Sequence, residues 1–159
     1  MDEQLIVVDE NDNVLNYLPR KIVHDQELLH RTISVSVYND KGEILLQKRS
    51  PKKDNNPGFW ANSAGGHVTK DKDYGQTAKD EVAEELGVNP DLILIKKMKI
   101  NDPVHTTMTC LYKTYSNGPF NFNKEEIDEI KFYSREDLKQ VQDDLSESAK
   151  IVLKEQGLL

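Results

Sequence analysis

Residues 80–88, DEVAEELGV, place four carboxylates in nine positions, and three of them, Glu81, Glu84 and Glu85, recur at i, i+3 and i+4. On a helix turning about 100° per residue, these three share one face. Ala78, Val82 and Leu86 recur at i, i+4 and i+8 beside it, the stripe of a helix packed on one side. Asp73 is placed to cap the helix at its N-terminus, and Gly87 falls where a left-handed C-terminal residue is expected. Like charges at this spacing destabilise a bare helix by roughly 0.2–0.5 kcal/mol per pair. A merely solvated face tolerates that cost. A hard cation would remove it, because Mg2+ takes carboxylate oxygens together with substrate phosphates and water. Upstream lies GGHV (residues 65–68), and paired glycines let the backbone come close to a ligand.

The rest of the chain limits what such a helix can belong to. A length of 159 residues suits one domain, residues 1–159, with a real core. Hydrophobic residues make up 36% and charged residues 31%, which is polar for a globular chain but not disordered. The net charge is −7, and the nearest thing to a basic run is SPKKDNN (residues 50–56), so general nucleic-acid binding is not expected. The one cysteine, Cys110, has no internal disulfide partner and fits a reducing compartment. The acidic start MDEQLIVVDE lacks a signal-peptide pattern, and no apolar run approaches the roughly 18 residues of a membrane span. A cytoplasmic protein without membrane association is expected.

The pattern along the chain is one of strands around a few helices. LIVVD (5–9) and VLNYL (14–18) read as strands of an N-terminal hairpin, followed by a polar, irregular segment to residue 30 with room for one helical turn. Residues 31–39 and 44–50 read as strands joined by the turn DKGE, and DNNPG (54–58) as a further turn. Residues 59–68 lead into the carboxylate helix. Strands are then expected at 92–100, 106–115 and within 126–134, a helix capped by Ser134, and a last helix near 147–156. No regular βαβ repeat is present, which points to a mixed-sheet α/β or α+β sandwich.

Gly66, Glu81, Val82, Glu84, Glu85, Gly87 and Val88 together resemble the Nudix hydrolase signature: a glycine, five residues, a glutamate, seven residues, then Arg-Glu-hydrophobic-x-Glu-Glu-x-Gly-hydrophobic. Seven of the nine defined positions match over 23 residues. The flanks ILLQKRS and PGFWANSAGGHV, and the later GPFNFNKEEIDEIKFYSREDL, are also similar to the family. The resemblance implies a Nudix-like α/β/α sandwich with a central mixed β-sheet. It implies Mg2+-dependent (or Mn2+-dependent) hydrolysis of a nucleoside diphosphate linked to another moiety, or of a related small-molecule diphosphate.

Glu81, Glu84 and Glu85 would then be catalytic and, with the backbone carbonyl of Gly65, would hold the metal. Glu81 is the first choice for the general base, and Glu126 and Glu129 are candidates outside the signature. Arg49 and Lys48 end a strand leading to the site and would meet substrate phosphates, as would Gly66 and His67 at the loop entry. Phe59 and Trp60 read as core-packing rings rather than a base-stacking pair. The N-terminal hairpin is expected either to cover the site or to form a homodimer contact.

Two positions depart from the signature: its first glutamate is Lys72 and its arginine is Asp80. Both are charge reversals at positions that pair in the family, so an ion pair with exchanged charges is expected. If these departures instead disable the chemistry, the chain becomes a catalytically weakened binding module. The chain is also similar to the subgroup resembling isopentenyl-diphosphate isomerase, whose metal is held largely by histidines. His24, His30 and His67 fall near those places, but His24 and His30 read here as surface or packing residues. The position aligned with the isomerase cysteine is Gly65 or Ala64, TTMTC (106–110) holds no paired glutamates, and Cys110 reads as a small buried strand residue. Isomerase chemistry is therefore not expected.

Overall fold

Residues 3–53, 56–103 and 105–159 are described by a computed structural model of the chain. Strand β3 (His30–Tyr38) runs through the middle of a mixed sheet. It lies parallel to β8 (Thr106–Tyr115) from His30 opposite Thr107 to Tyr38 opposite Tyr115. Antiparallel β6 (Ala64–His67) pairs with it from Thr32 opposite His67 to Val35 opposite Ala64. Strand β1 (Gln4–Val8) joins β3 at Val7 opposite His30 and carries β2 (Val14–Pro19) as a hairpin. Strand β7 (Ile93–Asn101) flanks β8. Strand β4 (Ile44–Arg49) leaves β3 after Tyr38 opposite Ile44, then pairs with β5 (Trp60–Ala61) and β9 (Ile127–Tyr133). The parting of β3 and β4 opens a cleft at the middle of the sheet.

Helices close both faces. The carboxylate helix α2 (Tyr74–Leu86) lays Ala78, Val82 and Leu86 against Ile33, Val35 and Leu45. On the opposite face α3 (Arg135–Gln140) and α4 (Glu147–Glu155) pack Leu138, Ala149 and Leu153 against Ile44, Leu46 and Trp60. Side chains along a strand alternate between faces, so Leu45 serves one core while Ile44 and Leu46 serve the other. Each such buried side chain contributes about 1.5–3 kcal/mol. The expected α/β/α sandwich with a mixed sheet is what the chain forms.

Two segments differ from expectation. Residues 19–30 include a six-residue helix, α1 (Arg20–Asp25), packed through the fully buried Val23. Residues 59–68 hold two short strands, β5 and β6, where only a lead-in to α2 was expected. Their Gly- and Ala-rich sequence has weak strand propensity, and the pairing comes from β4 and β3. Of the turn expected at 54–58, Asp54 and Asn55 lie outside the described residues.

The N-terminal hairpin is tied down by one carboxylate. Asp12, at φ 64° in the β1–β2 turn, accepts hydrogen bonds from Arg31 Nε (2.9 Å), Tyr74 Oη (2.9 Å) and Lys97 Nζ (2.8 Å). Its side chain is 7% exposed. Burial alone would raise its pKa, but the bonds from Lys97, Arg31 and Tyr74 outweigh burial and hold it below the ordinary 3.8. A lowered folded-state pKa means that its stabilisation is complete above 3.8 and is lost as pH falls through the folded value. Asp12→Asn keeps a residue type that tolerates positive φ and removes the charge. It is expected to cost roughly 2–3 kcal/mol in urea unfolding at neutral pH, and the deficit should shrink as the pH is lowered toward about 3.

Candidate active site

Local sequence sets the carboxylate helix in place. Asp73 accepts a hydrogen bond from the Gln76 N–H, and Gly87 ends the helix in the left-handed region at φ 70°. The carboxylates then lie over β6. Glu85 accepts from the Gly65 N–H (3.1 Å) and from Gln47 Nε2 (3.1 Å), and Gln47 also donates to the Ser63 carbonyl (2.9 Å). Glu81 packs directly on Gly66, where a Cβ would fall 2.6 Å from Glu81 Cδ. Glu84 is exposed at the rim of the same helix face.

Glu81 and Glu85 line a cavity of about 310 Å³ together with Gln47, Arg49, Lys53 and Glu126. Alternation explains which residues of β4 arrive there: Leu45, Gln47 and Arg49 face α2, whereas Ile44, Leu46 and Lys48 face the other way. Lys48, expected to bind phosphate, is accordingly absent from the cavity wall, as is the exposed Glu129 opposite it. Lys53, 3.7 Å from Glu126, and Arg20 at the start of α1 line the cavity instead. Trp60 packs in the core as expected, edge-on against Tyr133 with ring centroids 5.3 Å apart, whereas Phe59, also read as a core ring, is 39% exposed.

The carboxyls are poised to take a cation. Burial, reinforced by the neighbouring Glu85 charge, pushes Glu81 up to about 8, and burial pushes Glu85 up to about 7, against an ordinary 4.5. Two acids that resist ionising together, beside a glycine strand with no side chains in the way, suit a hard divalent ion. Lys72 Nζ lies 2.9 Å from Asp80 Oδ2, so the two reversed positions do pair.

A second donor set stands on the other face of β6. His67 sits opposite Thr32, while Gly66 sits opposite Ile33 on the side of α2. The ligand atoms of His24, His30 and His67 lie within 4.8 Å of one another. His30 Nδ1 is 2.8 Å from the Leu28 carbonyl, and the Nε2 atoms of His24 and His30 are buried without a hydrogen-bond partner among the described residues. The His105 ring stacks on His24 at 4.1 Å. Burial, with the neighbouring imidazoles and Arg20, holds His67 down to about 3. Burial likewise holds His24 down to about 4 and depresses His30 and His105. Neutral imidazole is the form that binds metal, so this trio could hold a divalent cation of the Zn2+ or Mn2+ type. Of the two readings given for His24 and His30, surface or packing, the structure gives packing. The isomerase resemblance groups His24, His30 and His67, whereas His105 is added only by the fold, as α1, β3, β6 and the residue before β8 bring the four together.

A carboxylate helix laid on a glycine strand, inside a mixed sheet covered by helices on both faces, is the Nudix arrangement. The chain belongs to that family: residues 28–155 match the NUDIX domain. It is 32% identical over 134 residues to an uncharacterised Nudix hydrolase of Pseudomonas aeruginosa, covering 82% of this chain and 79% of that protein. It is also 37% identical over 92 residues to the isopentenyl-diphosphate isomerase of Serratia proteamaculans, over 58% of this chain and 51% of that one. The crystal structure of DR0079 from Deinococcus radiodurans superposes with a TM-score of 0.80 at 23% identity, covering 96% of this chain and 98% of that one. Among the described residues no helix is long and apolar enough to cross a membrane.

Two outcomes follow from this geometry. Gly66→Ala should displace the flexible Glu81 carboxylate rather than unfold the sheet, so it is expected to lose less than about 1 kcal/mol in denaturant unfolding while weakening calorimetric Mg2+ binding at least about tenfold. The raised pKa values make the metal-free site a liability at high pH, because the stabilisation of a carboxyl with a raised folded pKa is complete below the unfolded value and lost as pH climbs through the folded one. In EDTA, Glu81→Gln should therefore be more stable than the parent by on the order of 1–2 kcal/mol at about pH 8.5, with no difference near pH 4. Unfolding curves at both pH values check this.

Proposed function

We propose that this chain is a metal-dependent Nudix hydrolase that cleaves the diphosphate of a nucleoside diphosphate linked to another moiety, or of a related small molecule. One observation carries the reading: Glu81 and Glu85 share a single cavity with the cationic Arg20, Arg49 and Lys53. Glu81, Glu84, Glu85 and the Gly65 carbonyl would hold Mg2+ or Mn2+. The bound cation supplies Lewis acidity toward the diphosphate oxygens.

The remaining work falls to the side chains. Arg49 offers a planar fork of donors that matches phosphate oxygens, and Lys53 and Arg20 add point charges from other elements of the wall. Glu85 keeps its carboxylate fixed through Gly65 and Gln47. Glu81, free of those bonds and facing the cavity across Gly66, is our choice to accept the proton of the attacking water. Glu126 is the second candidate, in the same wall. The Lys72–Asp80 pair replaces the family's oppositely charged pair without removing the link between the loop and the helix, which favours an active enzyme over a weakened binding module.

The three converging histidines favour a second reading, an isomerase-type metal site. Against it, Gly65 and Ala64 offer no thiol, and the β8 residues that face the cavity are Thr107 and Thr109, which offer no carboxylate.

The test is a turnover screen with Mg2+ and Mn2+ over nucleoside di- and triphosphates, nucleotide sugars, dinucleotides and isopentenyl diphosphate. Phosphate release after a coupled phosphatase is read beside double-bond migration by NMR. Metal-dependent release is expected, with kcat lowered at least about 100-fold by Glu81→Gln and less by Glu126→Gln. Double-bond migration in place of release would establish the isomerase reading, and silence on every compound would leave the binding module.

A further inference from the structure

This inference rests on the hydrolase reading and concerns the group beyond the diphosphate. Three hydroxyls run in a line along the cavity wall on the face of the sheet away from α2. Thr32 Oγ1 lies 2.7 Å from Thr109 Oγ1, and Thr107 Oγ1 lies 2.8 Å from that same atom. All three residues line the cavity. Three hydroxyls carry three protons and use two within the line. One donor and several lone pairs are therefore left for whatever fills the space, and rotating the hydroxyls reverses which end donates. Beside them Ser34 Oγ accepts from Asn62 Nδ2 at 2.9 Å, which leaves the serine proton to point elsewhere. These four hydroxyls thus offer paired donor and acceptor capacity without charge of their own, with Asp102 and Arg20 elsewhere in the same cavity.

The same wall is unsuited to two other groups. Among the described residues that line the cavity none is Phe, Tyr or Trp, and the rings of His67 and His105 pack against His24 and His30, which disfavours the aromatic stacking that nucleobase sites commonly use. An alkyl chain would strip water from Thr107 and Thr109, which are 9% and 2% exposed, and would return no hydrogen bond. Ile100, Ala149 and Val152 complete this end with small apolar surface, which can lie against the C–H face of a saturated ring.

We propose that this end of the cavity is a subsite for a polyhydroxylated, sugar-like group carried on the diphosphate, with Thr32, Thr107, Thr109 and Ser34 as its specificity-determining residues. A hydroxyl-reading wall discriminates strongly against analogues that lack the hydroxyl, because its own buried groups are then left unpaired.

The test compares UDP-glucose with isopentenyl diphosphate on the full chain by calorimetry. Ca2+, which takes the same oxygen ligands in slacker geometry, replaces Mg2+ to limit turnover. The parent is expected to bind the sugar diphosphate at least about tenfold tighter. Thr109→Val, which keeps the β-branched shape, should cut that ratio by about tenfold, the size of a lost hydrogen bond. Thr32→Val serves as the second variant if Thr109→Val unfolds. Equal binding, a preference for the alkyl compound, binding of neither, or a ratio unmoved in the folded variants would overturn the subsite, even where metal-dependent phosphate release upholds the hydrolase. A Thr109-dependent sugar preference without any hydrolysis would uphold the subsite and remove the hydrolase.

Discussion

The hydrogen bonds of Glu85 hold the candidate site together. Its carboxylate takes the Gly65 N–H from β6 and the Gln47 side chain from β4, so one residue of α2 joins two strands that otherwise diverge. Hydrogen bonds to a charged group are worth about 1.5–3 kcal/mol each, enough to fix the height and rotation of the helix over the glycines. Once Glu85 is fixed, the helical spacing places Glu81 over Gly66 and leaves Glu84 at the rim. The cost is a carboxylate held in a place where it resists ionisation, with Glu81 crowded beside it.

That anchor also accounts for the tolerance of a reversed signature. Where the family has an arginine next to its first metal-binding glutamate, this chain has Asp80, which cannot donate. Asp80 instead receives Lys72 and Gln76 Nε2, each at 2.9 Å, at the partly exposed margin of the helix. Gln47 and the Gly65 N–H, both outside the signature's side chains, orient Glu85, while Glu81 is held by its packing on Gly66. The exposed pair contributes at most about 1 kcal/mol, so exchanging its charges costs the fold little.

Much of this was legible in the sequence because it is local. The cap at Asp73, the stripe of Ala78, Val82 and Leu86 and the left-handed Gly87 follow from residues a few positions apart, and the Lys72–Asp80 pair follows from the resemblance of the signature. What escaped depends on residues distant in the chain. Lys48 and Arg49 look equivalent as neighbouring cations, yet only the phase of β4, set by Leu45 against Ile44 and Leu46, turns Arg49 into the cavity. Arg20 reaches the cavity from a short helix that no periodicity marks. Family resemblance groups His24, His30 and His67, but their ring packing and the addition of His105 depend on the pairing of β6 with β3. Even β6 is a strand only because β3 supplies its partner.

The pairing of β6 with β3 also has a chemical consequence. A strand alternates its faces, so the four residues of β6 divide the molecule's metal-binding capacity in two. Gly66 clears space for acidic oxygen donors on one side, and His67 adds a neutral nitrogen donor on the other. The two sets differ in hardness and in charge. The acidic set, once ionised, attracts a hard cation and tolerates phosphate only with one bound, whereas burial lowers the pKa of each imidazole and favours its uncharged form. Arg20, Arg49 and Lys53 line a cavity that reaches both sets, with Asp102 beside His105. On the proposed reading a diphosphate would meet the acidic set at the helix, and the group it carries would lie toward the hydroxyls of Thr32, Thr107 and Thr109. The alternation of a single strand would then separate the chemistry from the contacts that select its substrate.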